Sequence, residues 1–176
     1  MSAAFEQVGS VTVWSGHIGT VRVERYRHAD GEVVTRENVA HPGAVAIVAI
    51  DDEHVWLIRQ PREICGERAL LEVPAGKLDR DGEDPRAAAE RELAEEIGKA
   101  AGRWEQLKAI YTSPGFTDER IHVWLATELR DVERPPVEED ERIEIVAWPL
   151  DRLDEAIAAC DDAKSLVGLL LLRAQR

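Results

Sequence analysis

One helical stretch carries more negative charge on a single face than a helix supports on its own. It lies within Ala75 to Lys99, AGKLDRDGEDPRAAAERELAEEIGK. At 3.6 residues per turn, Glu92, Glu95 and Glu96 fall within an arc of about 100°. Ala87, Leu93, Ala94 and Ile97 are expected on the opposite, core-facing side. Asp84 and Pro85 suit a helix start and Gly98 suits its end. Like charges at i,i+3 and i,i+4 repel. A hard divalent cation converts that repulsion into ligation, because such ions take carboxylate oxygens.

The rest of the chain reads as strands with two further helices. Ala44 to Ile50, AVAIVAI, is apolar throughout and predicts a strand buried on both faces. Val55 to Arg59, Ala69 to Val73, Trp104 to Tyr111, Ile121 to Thr127 and Ile143 to Trp148 read as further strands. Pro149 is expected to open a helix to about Cys160, and Ser165 to cap a last one running to about Ala174. Upstream, Val11 to Trp14, Ile18 to Tyr26 and Val33 to Val39 form an antiparallel unit turned at Asp30-Gly31. It is too poor in apolar residues to stand alone and needs a partner surface. The expected organisation is therefore residues 1–41 as an N-terminal β extension and 42–176 as the main domain. The fold class is α+β, a mixed sheet sandwiched by helices.

Composition limits the partners. A net charge of -13 argues against nucleic acid, which needs a basic footprint. It would also repel a phosphate-bearing substrate, so bound metal and local arginines must reverse the sign at a site. No apolar stretch is long enough to span a bilayer, and no secretory signal opens the chain. Cys65 and Cys160 have no metal or redox spacing, and unpaired thiols are usual in the cytoplasm.

Gly76, Glu83, Arg91, Glu92, Glu95, Glu96 and Gly98 together resemble the Nudix hydrolase box. Two positions depart from the usual pattern. Six residues rather than five separate Gly76 from Glu83, and Lys99 stands where an apolar residue is common. The extra residue falls in a loop, where insertions are tolerated. The resemblance implies the α/β/α sandwich of that family over about residues 42–174. It implies Mg²⁺, with Mn²⁺ as a substitute, on Glu92, Glu95, Glu96 and the backbone carbonyl of Ala75. Glu83 and Arg91 would orient the glutamates.

Ser113 to Glu119, SPGFTDE, places Pro114 sixteen residues beyond Gly98. Within the Nudix family this resembles the ADP-ribose pyrophosphatase branch, which cleaves ADP-ribose to AMP and ribose 5-phosphate. That resemblance places Arg59 and Arg62 near the phosphates and terminal ribose, Glu72 near the ribose, and Phe116 against substrate. It puts the general base on the loop before the last strand, at Glu139 or Glu141. It also implies a homodimer that swaps the N-terminal strands. Other nucleoside diphosphate sugars or dinucleotides are the alternative substrates, and a non-catalytic ADP-ribose-binding module is a further alternative.

Overall fold

The computed structural model describes residues 4–17, 19–78, 80, 82–134 and 142–176. The chain divides into two compact units, residues 1–43 with 111–120, and residues 44–110 with 121–176.

The first unit is built on a three-stranded antiparallel sheet in the order β1 (Phe5–Ser15), β2 (Thr20–His28), β3 (Val33–Ala40). Gly31 turns the β2–β3 hairpin at φ 90°, in the left-handed region where glycine carries no Cβ penalty. Register shifts between Gln7 and Gly9 and between Thr12 and Trp14 bend β1. The strand extends beyond the expected Val11–Trp14, since its further residues are largely exposed and carry no alternating pattern to reveal it. The SPGF turn is fastened to β3. Val39 N–H donates to the Phe116 carbonyl at 2.8 Å, and Thr117 Oγ1 donates to the Val39 carbonyl at 2.7 Å. Asp118 accepts from the His41 N–H at 2.8 Å.

The second unit contains β4 (Ala44–Ile50), β5 (His54–Arg62), β6 (Glu67–Glu72), β7 (Ala75–Lys77), α1 (Pro85–Ile97), β8 (Lys99–Tyr111), β9 (Arg120–Asp131), β10 (Glu144–Pro149), α2 (Leu153–Ala159) and α3 (Ala163–Ala174). Its sheet runs β10-β5-β4-β9-β8, with β6 on β5 and β7 on β4. β4 pairs in parallel with β9 and antiparallel with β5, so the sheet is mixed. The β4–β5 pairing covers Ala49 and Ile50, and β7 takes over opposite Ala44 to Ala46. That split sets Ala75 and Gly76 beside the middle of the sheet.

β4 explains the layering. Ala44, Ala46 and Val48 pack into a cluster with Leu150, Leu153, Ala156, Leu169 and Leu172, the side of α2 and α3. Val45, Ile47 and Ala49 pack with Ala88, Ala89, Leu93 and Ile97, the side of α1. Alternation along a strand sends successive side chains to opposite faces, so an all-apolar strand needs helices on both. The α/β/α sandwich follows. α3 lies so close to β4 that a Cβ on Gly168 would stand 2.7 Å from Val48 Cγ2. Among the described residues no helix is long and apolar enough to cross a membrane.

Three local expectations are corrected. The buried alanines of α1 are Ala88 and Ala89, while Ala87 is exposed. The α1 stripe is therefore rotated toward its neighbours in sequence. Pro149 ends β10, and a 3₁₀ turn over Leu150–Arg152 precedes α2. Asp162, not Ser165, caps α3, accepting from the Ser165 N–H at 3.0 Å. Ser165 is wholly buried, and its hydroxyl accepts from the Val73 N–H at 2.8 Å.

Candidate active site

α1 is held at both ends. The Asp84 carboxylate accepts from the Arg86 and Ala87 N–H groups, and Pro85 occupies the first turn. Gly98 closes the helix at φ 65° with its N–H on the Ala94 and Leu93 carbonyls. From the segment just after β9, Val132 N–H donates to the Gly98 carbonyl at 2.9 Å. Arg134 Nε donates to the Glu95 carbonyl at 2.7 Å, satisfying one of the orphan carbonyls of a helix end. Lys99, the departure from the box pattern, is buried. Its ammonium sits 3.8 Å above the Trp56 ring and 2.8 Å from Asp131 Oδ1, so aromatic face and carboxylate replace the missing apolar contact.

Against this fixed helix lies β7. A Cβ on Gly76 would fall 1.9 Å from both Cδ and Oε1 of Glu92. Glycine leaves the carboxylate that space, and any side chain there would displace it. One residue earlier, Ala75 N–H donates to Glu96 Oε2 at 2.8 Å. Glu96 is buried on the helix it shares with solvent-facing neighbours, and this bond to the ionised form offsets the cost of burying it.

Arg91 gathers the remaining carboxylates. Its Nε and Nη2 donate to Glu83 Oε1 and Oε2, each at 3.1 Å. Its Nη1 donates to Glu92 Oε1 at 2.6 Å and to Glu95 Oε2 at 2.8 Å. The Arg91 side chain is only 14% exposed, so these bonds form in a poorly solvated place and are stronger than surface pairs. The Glu83 hydrogen bonds raise the pKa of Arg91 further, outweighing its burial. In return Arg91 holds Glu83 below the usual carboxylate range. Arg80 reaches Glu95 Oε1 at 3.6 Å from the surface. Three carboxylates thus meet two arginines, and with Glu96 beside them the cluster stays negative. Its donors are all carboxylate oxygens, the chemistry of a Mg²⁺ or Mn²⁺ site. Among the described residues no three acidic, His or Cys side chains are drawn together at ligating distances. Glu92 and Glu95 lean on Arg91, and Glu96 on the Ala75 N–H.

The expected substrate residues separate. Arg62 donates from Nε and Nη2 to Glu72 Oε1 and Oε2 at 2.7 and 2.8 Å. Glu72 has no exposed surface, and Lys164 Nζ also donates to its Oε2 at 2.6 Å. Burial pushes the Glu72 carboxyl up, but these cations outweigh it and hold the group below the usual range. Arg59 leaves this cluster and donates to the Ala69 carbonyl at 3.4 Å. It lines a separate groove of about 520 Å³ with Pro61, Arg68, Arg142 and Glu144. Phe116 belongs to the first unit and is 58% exposed, so it is not core. Glu139 and Glu141 lie outside the described residues. Sequence reading missed Lys164, whose Glu72 partner is 92 residues away. The signal available was Asp162, a capping residue that sets the α3 first turn.

Comparison with known proteins shows the family. The NUDIX domain family pattern matches residues 40–167. The ADP-ribose pyrophosphatase of Mycobacterium tuberculosis is 45% identical over 145 residues, 82% of this chain and 70% of that protein. The ADP-ribose pyrophosphatase of Bacillus subtilis is 42% identical over 165 residues, 92% of this chain and 88% of that one. A crystal structure of an ADP compounds hydrolase superposes with a TM-score of 0.83 at 27% identity, covering 97% of this chain and 93% of its own. A glycine pressed on one glutamate, an arginine tying that glutamate to two more and a sandwich that fixes both are thus joined by a match over most of the chain, which belongs to the Nudix hydrolase family.

Proposed function

We propose that this protein hydrolyses the diphosphate of ADP-ribose to AMP and ribose 5-phosphate in a divalent-metal-dependent reaction. The observation that carries the reading is the Arg91 cluster against Gly76 and Ala75, in a chain so similar to two proteins named ADP-ribose pyrophosphatase. Glu92, Glu95, Glu96 and the Ala75 carbonyl would hold Mg²⁺, or Mn²⁺ in its place. When bound, the metal neutralises diphosphate oxygens and lowers the pKa of water.

The chain's own residues do the rest. Arg91, itself held by Glu83, orients Glu92 and Glu95, and the Ala75 N–H orients Glu96, a supporting role that tunes a metal site. Arg62 presents its half-exposed fork to phosphate oxygens, countering the repulsion that the overall charge exerts on a diphosphate. Arg59 extends the positive surface along β5, and Phe116 offers an open aromatic face to substrate. Glu72 is buried under Arg62 and supports it. Glu139 or Glu141 takes the proton of the attacking water. The reading includes a homodimer formed through the N-terminal strands, because Val11 and Val13 of β1 leave 63% and 59% of their surface open. It places the protein in the cytoplasm, in keeping with the free thiols of Cys65 and Cys160.

The test is incubation with ADP-ribose and MgCl₂, with an EDTA control, and chromatography of the products. AMP and ribose 5-phosphate formed in the metal arm support the reading. Cleavage of other nucleoside diphosphate sugars but not ADP-ribose would discard the substrate and keep the chemistry. Cleavage of none would discard the hydrolase and favour a binding module.

A further inference from the structure

A second ionic cluster stands apart from Arg91. Glu72 is the last residue of β6 and is wholly buried. Three charge-assisted bonds converge on it, two from the Arg62 fork and one from Lys164. Lys164 is the second residue of α3. Its ammonium also donates at 2.8 Å to Asp162 Oδ2, the oxygen that caps the helix. The side chain of Lys164 is 13% exposed and that of Arg62 is 43% exposed. Lys164 is therefore an inner member of the group, and Arg62 is the member that meets solvent.

The asymmetry has a consequence for Arg62. Its Nε and one Nη2 hydrogen are spent on Glu72, so the remaining N–H groups of the rigid fork point away from the carboxylate. A buried carboxylate with a single cationic partner draws its whole compensation from that partner. With Lys164 in place, part of the Glu72 charge is met from the interior. Asp162 is charged in its turn: burial pushes it up, but Lys164 and the Ser165 bonds hold it below the usual carboxylate range.

We infer that Lys164 is a positioning residue for the diphosphate, acting from the C-terminal helix through buried Glu72 to fix the Arg62 fork and leave its outer N–H groups for phosphate oxygens. The inference rests on the reading of Arg62 as a phosphate-binding group. It links α3, which contributes nothing to the box, to substrate affinity. A lysine with a merely structural role would change stability and leave KM alone.

The experiment is a double-mutant cycle on the full chain with ADP-ribose and Mg²⁺, using Lys164→Met, Arg62→Ala and the pair, with Lys164→Arg as the conservative variant. Lys164→Met is expected to raise KM about tenfold with kcat within about twofold of wild type, the loss of one shared charge-assisted bond. Lys164→Arg is expected to restore KM. In the Arg62→Ala background Lys164→Met is expected to add nothing further. An unchanged KM in Lys164→Met, or an equal rise in both backgrounds, overturns the inference. If Lys164→Met does not fold, Lys164→Gln, which keeps a donor, carries the same cycle. If Arg62→Ala itself leaves KM unchanged, the phosphate reading of Arg62 fails. The Nε–H resonance of Arg62 then decides the positioning role: lost protection in Lys164→Met supports it, and unchanged protection overturns it.

Discussion

Replacing Gly76 with alanine should separate activity from stability. The added Cβ would stand 1.9 Å from Glu92 Cδ and Oε1 and 2.5 Å from Oε2, where ordinary contact begins at 3.4 Å. The carboxylate must therefore retreat by about 1.5 Å. It is the far end of a flexible side chain, so it gives way before the sheet does. The backbone at Gly76 is not in the left-handed region, and alanine there gains about 0.4–1 kcal/mol from a less flexible unfolded chain. Against this stands the 2.6 Å bond from Arg91 to Glu92, a hydrogen bond between charged groups that contributes about 1.5–3 kcal/mol. Arg91 keeps Glu83 and Glu95. The net cost is about 1–2 kcal/mol, which lowers Tm by less than about 8 °C for a chain of this size. A displacement of about 1 Å at a catalytic group can cost about 10²-fold in rate. Gly76→Ala should therefore fold, lose about 10²-fold in ADP-ribose turnover and need more Mg²⁺ for half-maximal rate. Calorimetry and a Mg²⁺ titration of initial rates read both quantities. Turnover within about twofold of wild type would refute the claim that Gly76 exists to seat Glu92. A Tm loss above about 15 °C would show that the strand yielded instead.

Three further outcomes follow from the same geometry. Glu83 has a depressed pKa in the folded state through its pairing with Arg91, so its stabilisation is present above the unfolded value of about 4.3 and is lost as pH falls below it. The Tm gap between wild type and Glu83→Gln should be widest near neutral pH and close in acid; a gap that widens in acid contradicts the pairing. Leu93→Ala removes a wholly buried side chain from the α1 face of the core and should cost about 2–5 kcal/mol in urea unfolding; a loss below about 1 kcal/mol would mean that α1 is not anchored there. By sedimentation the protein should run as a pair of 19.6 kDa chains, and Val11→Glu with Val13→Glu should yield single chains; a wild-type monomer removes the dimer from the account.

How much was legible in the sequence depended on the range of the interaction. β4 was read to its end residues because AVAIVAI is apolar on both faces, a pattern that few other structures satisfy. α1 was bounded by Asp84-Pro85 and Gly98, whose capping roles act within a few residues. The pairing of Glu83 with Arg91 was expected only from the resemblance to the Nudix box, and the structure joins the two by a pair of hydrogen bonds. The ends of β1 and β9 were missed because edge and bulged segments there carry exposed polar residues without alternation. The α3 cap was misassigned between two good capping residues, Asp162 and Ser165. Burial decides between them, since the Ser165 hydroxyl is occupied by Val73. Arg59 and Arg62 are three residues apart, an odd step that sends strand side chains to opposite faces, but their partners, the Ala69 carbonyl and buried Glu72, come from the pairing with β6, which no local pattern encodes. Lys164 was invisible for the same reason: its role exists only once α3 is packed against β6.

The central claim is that the box glutamates perform metal-dependent hydrolysis, and Glu96→Gln tests it most directly. The amide oxygen can still accept from the Ala75 N–H that now bonds Glu96 at 2.8 Å, so the fold is kept while one anionic ligand is removed. The measurement is AMP released from ADP-ribose by Glu96→Gln beside wild type across a Mg²⁺ series, with Tm recorded on the same samples. The account predicts a Tm within a few degrees of wild type and AMP release lost at every Mg²⁺ concentration. Retained turnover with ordinary Mg²⁺ dependence would contradict it.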